Sequence, residues 1–438
     1  MMSDRKMVEQ AKVYKKIAVI GLGYVGLPLA LLLIGKGFRV LGIDLDQRKI
    51  NALLAGSSYL TDVDKETVQA AMATGRLEPE NGYSRLGEVD AIIICVPTPL
   101  TERGTPELSY LTQAAAELKP HLQKGQLVVL ESSTYPGTTR EVLLPMLEQS
   151  GMRAGTDFHL AYSPERVDPG NKVYSVQSIP KVISGLTAAC RLQAEQLYGM
   201  VFDTVVPVSS LETAEMAKIL ENAYRLVNIS FINELAMLSD LLGLDLWEVI
   251  EAAGTKPFGF NPFYPGPGIG GHCIPVDPSY LVWKLKQYGA DSAFIALSGE
   301  LNERMPRYVV EQLARLLAPR SLKETRIIVY GAAYKQDIGD YRESASIELL
   351  KWLRLAGVEA HYHDPFVPSL ELEGERLYSV ALNEQAIRSA DAVVIATAHS
   401  EIPLALLLEH ASIVYDTRNV TRGHSGKATI VRLGGGNG

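Results

Sequence analysis

A strand, a glycine turn, an apolar helix and a second strand ending on an acid follow one another over residues 16–44, and this order limits the possible folds more than any other feature. Lys16–Ile20 (KIAVI) runs into Gly21-Leu22-Gly23-Tyr24-Val25-Gly26 and then into a helix predicted to reach about Gly35. Arg39–Ile43 (RVLGI) follows and ends at Asp44. Continuous apolar strands belong to parallel sheets covered on both faces. With GxGxxG at the first turn, the β-α-β order predicts a doubly wound α/β unit that binds a dinucleotide. Glycines allow the tight turn and let a pyrophosphate approach the helix N-terminus. Asp44 can accept hydrogen bonds from a ribose 2′-OH and would repel a 2′-phosphate, which selects NAD over NADP.

More strands are predicted at Ala91–Val96, Gln126–Leu130 and His159–Tyr162. The loops after them read VPTP (96–99), ESSTYPGTT (131–139) and SPER (163–166). Ligands of open parallel sheets bind at the carboxyl ends of strands. Val96, Pro97, Thr98, Thr134, Glu165 and Arg166 are therefore expected near the cofactor and its substrate.

A chain of 438 residues is too long for one core. Residues 1–14 are polar and read as an N-terminal extension, and 15–208 as the first Rossmann domain. From Ser209 or Ser210, a possible cap, apolar positions run Leu211, Ala214, Ala217, Leu220, Tyr224, Val227, Phe231, Leu235, Leu238 and Leu241, with no Pro or Gly before Gly243. That predicts a helix of about 48 Å, suited to joining domains or building a dimer, within a central helical domain over 209–318. Residues 319–438 repeat the opening pattern. Strand Arg326–Tyr330 leads to Gly331-Ala332-Ala333-Tyr334-Lys335, a helix over Ser344–Leu355, strand Glu359–His363 and Asp364. This turn lacks GxGxxG, which argues against a second dinucleotide, and Lys335 and Arg342 stand where an anionic ligand would be met. Strands at Ala392–Ala396 and Ser412–Tyr415 follow, the latter read as the last, and the glycine-rich tail 434–438 reads as disordered.

The net charge of −8 argues against nucleic acid as a partner. Cys95, Cys190 and Cys273 are too few for a disulfide framework, which points to a reducing, cytoplasmic setting. No CxxC or HxxxH spacing is present, so no metal is expected. The most apolar run, Leu27–Ile34, is too short to span a bilayer, so no membrane partner is expected either.

Residues 265–278 (PGPGIGGHCIPVDP) carry the most chemistry. Gly268, Gly270 and Gly271 let the backbone approach a ligand beside Cys273. Pro275 suits a first helical turn, which would put Cys273 at a helix N-terminus favouring a thiolate, one turn before Asp277. Lys218 and Asn222, four residues apart, would share a face of the long helix and could stabilise an oxygen gaining negative charge. A nucleophile, a nearby acid and an NAD site together point to an oxidation through a covalent thiohemiacetal.

GLGYVG (21–26), VPTP (96–99), STYPGTT (133–139), SPER (163–166), EMAKILENAYR (215–225), GPGIGGHCIPVDP (266–278) and GAAYKQDIGDYRES (331–344) occur in the order of the UDP-glucose/GDP-mannose dehydrogenases. The chain resembles that family from Lys16 to about Asn419. The resemblance implies a four-electron oxidation of a UDP-sugar C6 hydroxyl to a carboxylate by two NAD⁺. It implies that Asp277, through a water held by Lys218, takes the hydroxyl proton, that Cys273 attacks the aldehyde, and that Lys218 and Asn222 stabilise oxyanions. Glu165, with Thr134 nearby, would direct hydrolysis of the thioester. The second Rossmann-like domain would hold UDP through Lys335 and Arg418, with Gly270 against the sugar and Arg342 near the cofactor, in a homodimer or higher homo-oligomer. SPERVDPGN (163–171) and GTKPFGFNPFYPGPGIGGHCIPVDP (254–278) look most like the N-acetylglucosamine branch, with Arg166 a candidate donor to the N-acetyl carbonyl. UDP-glucose, UDP-N-acetylmannosamine and UDP-N-acetylgalactosamine are the alternative substrates, and a two-electron β-hydroxyacid-type reaction is the alternative chemistry.

Overall fold

The computed structural model describes residues 12–60, 63–101, 104–166, 174–271 and 274–436. The chain forms two compact units, Met1–Glu221 with Lys286–Tyr288, and Asn222–Leu285 with Gly289–Gly438. Among the described residues, no helix is long and apolar enough to cross a membrane.

The first unit is built on eight strands: β1 Lys16–Ile20, β2 Arg39–Ile43, β3 Leu77–Glu80, β4 Ala91–Ile94, β5 Leu127–Leu130, β6 His159–Tyr162, β7 Lys181–Gly185 and β8 Val205–Pro207. They lie in the order β3-β2-β1-β4-β5-β6-β7-β8. The order reverses between β1 and β4, so a crevice opens outside their carboxyl ends. Side chains alternate across the sheet: Ile17, Val19, Ile93 and Val129 enter one core, while Ala18, Ile20, Ile92 and Val128 enter the other. Burial on both faces is why these strands read as unbroken apolar runs. Two predicted strands are trimmed, to Ala91–Ile94 and Leu127–Leu130. Tyr14, the last residue of the expected extension, is buried and donates from its hydroxyl to Gln193 O over 3.1 Å. The sequence reading missed β7, which pairs antiparallel with β6. Its reversal carries its first residue, Lys181, to the edge where the other strands end.

The second unit holds β9 Arg326–Tyr330, β10 Glu359–His363, β11 Ser369–Leu372, β12 Glu375–Tyr378, β13 Ala392–Ile395, β14 Ile413–Asp416 and β15 Thr429–Arg432. Five of these make a sheet in the order β10-β9-β13-β14-β15, and β11 with β12 forms a hairpin. The repeat predicted from sequence extends to hydrogen bonding. Gly21 N donates to Ile43 O over 2.7 Å, and Gly331 N to His363 O over 2.8 Å. Both glycines have φ of +90°, and a Cβ on either would strike the segment just after the neighbouring strand, at Cys95 and Thr397. Asp44 accepts from Leu22 N over 2.9 Å, as Asp364 accepts from Ala332 N over 2.7 Å. The predicted helix runs Ala345–Leu355, with Ser344 as its cap.

Two expectations for the C-terminus are corrected. β14 is not the last strand, because β15 pairs with it from Ile413↔Thr429 to Asp416↔Arg432. The tail is packed rather than disordered through its described residues. Gly434 O accepts from Leu246 N over 2.8 Å, and a Cβ on Gly436 would meet Gly243 and Leu244.

The long helix spans Leu211–Leu242, 32 residues. Ser210 Oγ accepts from Thr213 N over 3.1 Å and so caps it. Of its predicted apolar positions, Leu211 and Ala214 are buried, whereas Leu220, Tyr224, Phe231, Leu238 and Leu241 are exposed.

Candidate active site

At the carboxyl edge of the first sheet, the glycine turn makes a cradle. A Cβ on Gly21 would lie 2.6 Å from Cys95 O, and one on Gly26 would lie 1.8 Å from Gly21 O, so neither position admits a side chain. A Cβ on Gly23 would meet nothing within 4 Å, so the outer side of the turn is open. Val25 occupies the N-cap of the helix Gly26–Gly35, whose first turn holds no acid. An open turn at an uncrowded helix N-terminus fits a dinucleotide pyrophosphate. Tyr24 borders the same turn and is half-buried.

Asp44 at the end of β2 is buried and already bonded. Its Oδ2 accepts from Leu22 N and from Lys49 Nζ over 2.8 Å, and its Oδ1 from Asp46 N over 2.9 Å. Two oxygens offer about four acceptor positions, so one remains for a ribose hydroxyl.

The next two loops are tied together. Thr98 Oγ1 donates to Ser133 O, and Ser132 Oγ to Val96 O, each over 2.6 Å. Pro97 between them is exposed. Thr134 Oγ1 is buried with no hydrogen-bond partner among the described residues. A buried hydroxyl in that state commonly marks a place for water or ligand.

Glu215, which the sequence reading passed over, anchors this loop to the long helix. It is buried and accepts from Gly137 N (2.6 Å), Thr139 N (2.8 Å) and Thr139 Oγ1 (2.6 Å). Desolvation pushes its carboxyl up to about 7 against the pull of those donors.

Glu165 follows β6 and accepts from Arg166 N over 2.6 Å. The Arg166 guanidinium donates to Pro180 O over 2.8 Å and pairs with Glu221 over 2.7 Å. Lys218 and Asn222 are 8% and 4% exposed, while Arg225 is exposed. The spacing of four thus puts a cation and an amide on one buried face rather than in a solvated stripe.

In the second unit the glycine loop is pinned by two asparagines. Gly266 N donates to Asn233 Oδ1 over 2.9 Å, and Ile269 N to Asn302 Oδ1 over 2.6 Å. A Cβ on Gly270 would lie 2.8 Å from Glu343 O and 2.9 Å from Tyr334 Cβ. The loop therefore lies directly on the segment after β9 that carries Lys335 and Arg342. His272 and Cys273 lie outside the described residues. The predicted helix start is displaced: residues 274–276 form a turn, and the helix runs Asp277–Lys286. Asp277 is its first residue. It is buried and accepts from Asn222 Nδ2 over 2.6 Å.

Lys335 is partly exposed, and Arg342 forks onto Asp340, with Nη2 2.6 Å from Oδ2. Arg418, after β14, donates from Nε to Ala396 O over 2.7 Å, and its Nη1 would lie 2.5 Å from a Cβ on Gly266. Desolvation pushes its guanidinium down to about 10.

Three family models match in order along the chain: the UDP-glucose/GDP-mannose dehydrogenase NAD binding domain over 15–202, the central domain over 212–304 and the UDP binding domain over 328–423. A UDP-N-acetyl-D-glucosamine 6-dehydrogenase of Pseudomonas aeruginosa is 36% identical, covering 88% of this chain and 91% of its own. A UDP-N-acetyl-D-mannosamine dehydrogenase of Methanocaldococcus jannaschii is 33% identical, covering 90% and 88%. Among solved structures, a UDP-D-ManNAc dehydrogenase from Pyrococcus horikoshii superposes with a TM-score of 0.87 at 32% identity, covering 97% of this chain and 100% of that one. A chain that carries all three domains in order over nearly its whole length belongs to the UDP-glucose/GDP-mannose dehydrogenase family and is an NAD-dependent nucleotide-sugar dehydrogenase.

Proposed function

We propose that the protein oxidises the C6 hydroxyl of UDP-N-acetylglucosamine to a carboxylate through a covalent adduct on Cys273. The observation that carries the chemistry is the buried Asn222–Asp277 hydrogen bond, with Lys218 one turn away on the same helix face. The choice of sugar rests on SPERVDPGN, on the segment 254–278 and on the 36% identical relative.

Two NAD⁺, bound in turn, would each accept one hydride, one at each oxidation. Gly21, Gly23, Tyr24, Val25 and Gly26 hold its pyrophosphate, Asp44 a ribose, and Val96, Pro97, Thr98 and Thr134 border the nicotinamide, with Arg342 near the cofactor. Asp277, through a water held by Lys218, removes the hydroxyl proton as the alcohol becomes an aldehyde. The Cys273 thiolate adds to the aldehyde carbon, and Lys218 and Asn222 donate to the resulting oxyanion. Addition turns the aldehyde into a hydride donor without releasing it. Loss of the second hydride leaves a thioester. Water attacks this ester with Glu165 accepting its proton and Thr134 beside it, which frees the carboxylate and the thiol.

Lys335 and Arg418 hold the UDP, Gly270 borders the sugar, and Arg166 donates to the N-acetyl carbonyl. The domains on this reading are an NAD-binding domain (15–208), a central helical and dimerisation domain (209–318) and a UDP-sugar-binding domain (319–438). Exposed Leu220, Tyr224, Phe231, Leu238 and Leu241 support a homodimer built on the long helix. The product suits polysaccharide synthesis in the cytoplasm.

The test is NADH formed per sugar consumed, with UDP-N-acetylglucosamine, UDP-N-acetylmannosamine, UDP-N-acetylgalactosamine and UDP-glucose side by side. Two NADH with the first strongly preferred is the expected result. Preference for UDP-N-acetylmannosamine keeps the mechanism and sinks the choice of sugar. One NADH per sugar sinks the covalent route.

A further inference from the structure

We propose that Lys181 and Glu131 are positioning residues for Glu165: Lys181 orients its carboxylate, and Glu131 limits how much of the ammonium's charge reaches it. This rests on reading Glu165 as the group that takes the proton of the hydrolytic water.

Because β7 runs against β6, Lys181 enters the edge where β4, β5 and β6 end. Its ammonium lies 2.8 Å from Glu131 Oε2 and 3.8 Å from Glu165 Oε2. Glu131, directly after β5, is fully buried, and the Tyr198 hydroxyl donates to its other oxygen. Lys181 is also covered by the rings of Tyr198 and Phe202, at 5.4 and 5.3 Å. One buried cation thus serves two carboxylates unequally.

A purely structural core is as well or better served by apolar side chains, since desolvating ions costs more than their attraction usually returns. This set sits instead directly behind the proposed proton acceptor. Among the described residues, two further groups near Glu165 are compensated or neutral. The Arg166 backbone N–H bonds Glu165, but its guanidinium is held by Glu221 and Pro180. The Cys95 thiol, at the end of β4, is kept protonated by burial. Burial likewise pushes the Glu131 carboxyl up; it also works against the Lys181 charge, but the attraction of Glu131 and Glu165 together outweighs it and keeps the ammonium charged.

The two partners should act in opposite senses on the acidic limb of the pH profile for turnover. Glu131→Gln leaves the whole ammonium to Glu165, so the limb moves down by roughly one pH unit. Lys181→Met removes the cation, so the limb moves up by roughly as much, and Lys181→Arg restores it. Limbs that stay put, or move in the same direction, in folded variants overturn the proposal. If Lys181→Met does not fold, Glu131→Gln and Lys181→Arg decide it: a downward shift in the former with little change in the latter supports it, and any other pattern overturns it. Glu165→Gln separates the two readings, with the acyl adduct on Cys273 counted by intact mass after acid quench. Accumulated adduct with unmoved limbs in the other variants overturns only the role of Lys181 and Glu131. Absence of adduct sinks the reading of Glu165 and this inference with it.

Discussion

Asn222 Nδ2 donates to Asp277 Oδ2 over 2.6 Å, with both side chains almost fully buried. The bond fixes the carboxylate at the first residue of its helix, where unpaired N–H groups and the dipole favour its charge. Asn222→Ala would leave Asp277 without that donor and remove one of the two proposed oxyanion donors. Turnover should fall about 10²–10³-fold. Asn222→Asp should fall further, because it sets a second carboxylate against Asp277. Steady-state NADH formation measures both, and a loss under fivefold in Asn222→Ala would remove Asn222 from the proposed machinery.

Asp44 serves the fold, and on the proposed reading it also holds the cofactor's ribose. Asp44→Ala strands the Leu22 and Asp46 amides, which should cost about 1–3 kcal/mol of stability. It also removes the proposed ribose acceptor, so the KM for NAD⁺ should rise about tenfold or more, with a smaller change in KM for the sugar. Thermal denaturation and initial rates separate the two effects. An unchanged KM for NAD⁺ would mean that Asp44 is wholly occupied by Leu22, Asp46 and Lys49.

Both Rossmann-type units were legible because their strands are buried on two faces and their turns carry glycine or a closing acid. Glu215, Glu131 and Lys181 were not legible as partners, although Glu215 stands inside a motif. Their roles depend on side chains far apart in sequence meeting at one sheet edge, and for Lys181 on a strand reversal that periodicity does not encode. Asn233 and Asn302 read as ordinary helix residues until the glycine loop is seen to hang from them. The tail misled because glycine-rich composition usually means freedom, whereas Gly434 and Gly436 fit against 236–246 where a side chain would clash. The displaced start of the helix at Asp277 shows how weakly one proline locates a helix terminus.

Gly270 tests how closely the cysteine loop must lie on the segment after β9. A Cβ there meets the Glu343 carbonyl and Tyr334 Cβ inside van der Waals contact, and neither is the far end of a flexible chain. Gly270→Ala should therefore displace the loop, at a cost of about 1–3 kcal/mol. A shift on the order of 1 Å is enough to lower turnover about 10²-fold. Full activity with unchanged stability would mean that the loop has another position equally good for chemistry.

Glu215 gives a stability signature that needs no substrate. Its folded-state carboxyl is raised to about 7 by desolvation, above the unfolded value near 4.5. A group raised on folding adds stability that is fully present below its unfolded value and is lost as pH climbs through its folded one. The contribution should therefore be largest below about pH 4.5, shrink between about 4.5 and 7, and level off above. Glu215→Gln abolishes the titration, but its amide N–H₂ must then take the place of one oxygen and face either Gly137 N or Thr139 N, each a donor. The variant should be less stable at about pH 5, by roughly 1–3 kcal/mol. That deficit should narrow as pH rises to about 8, because the native protein now carries a buried charge and the variant does not. Paired melting curves across that range measure the difference, in which the titration of distant groups cancels. A deficit that is flat with pH would show that Glu215 is ionised in the folded protein throughout, stabilised by its three donors beyond what burial takes away.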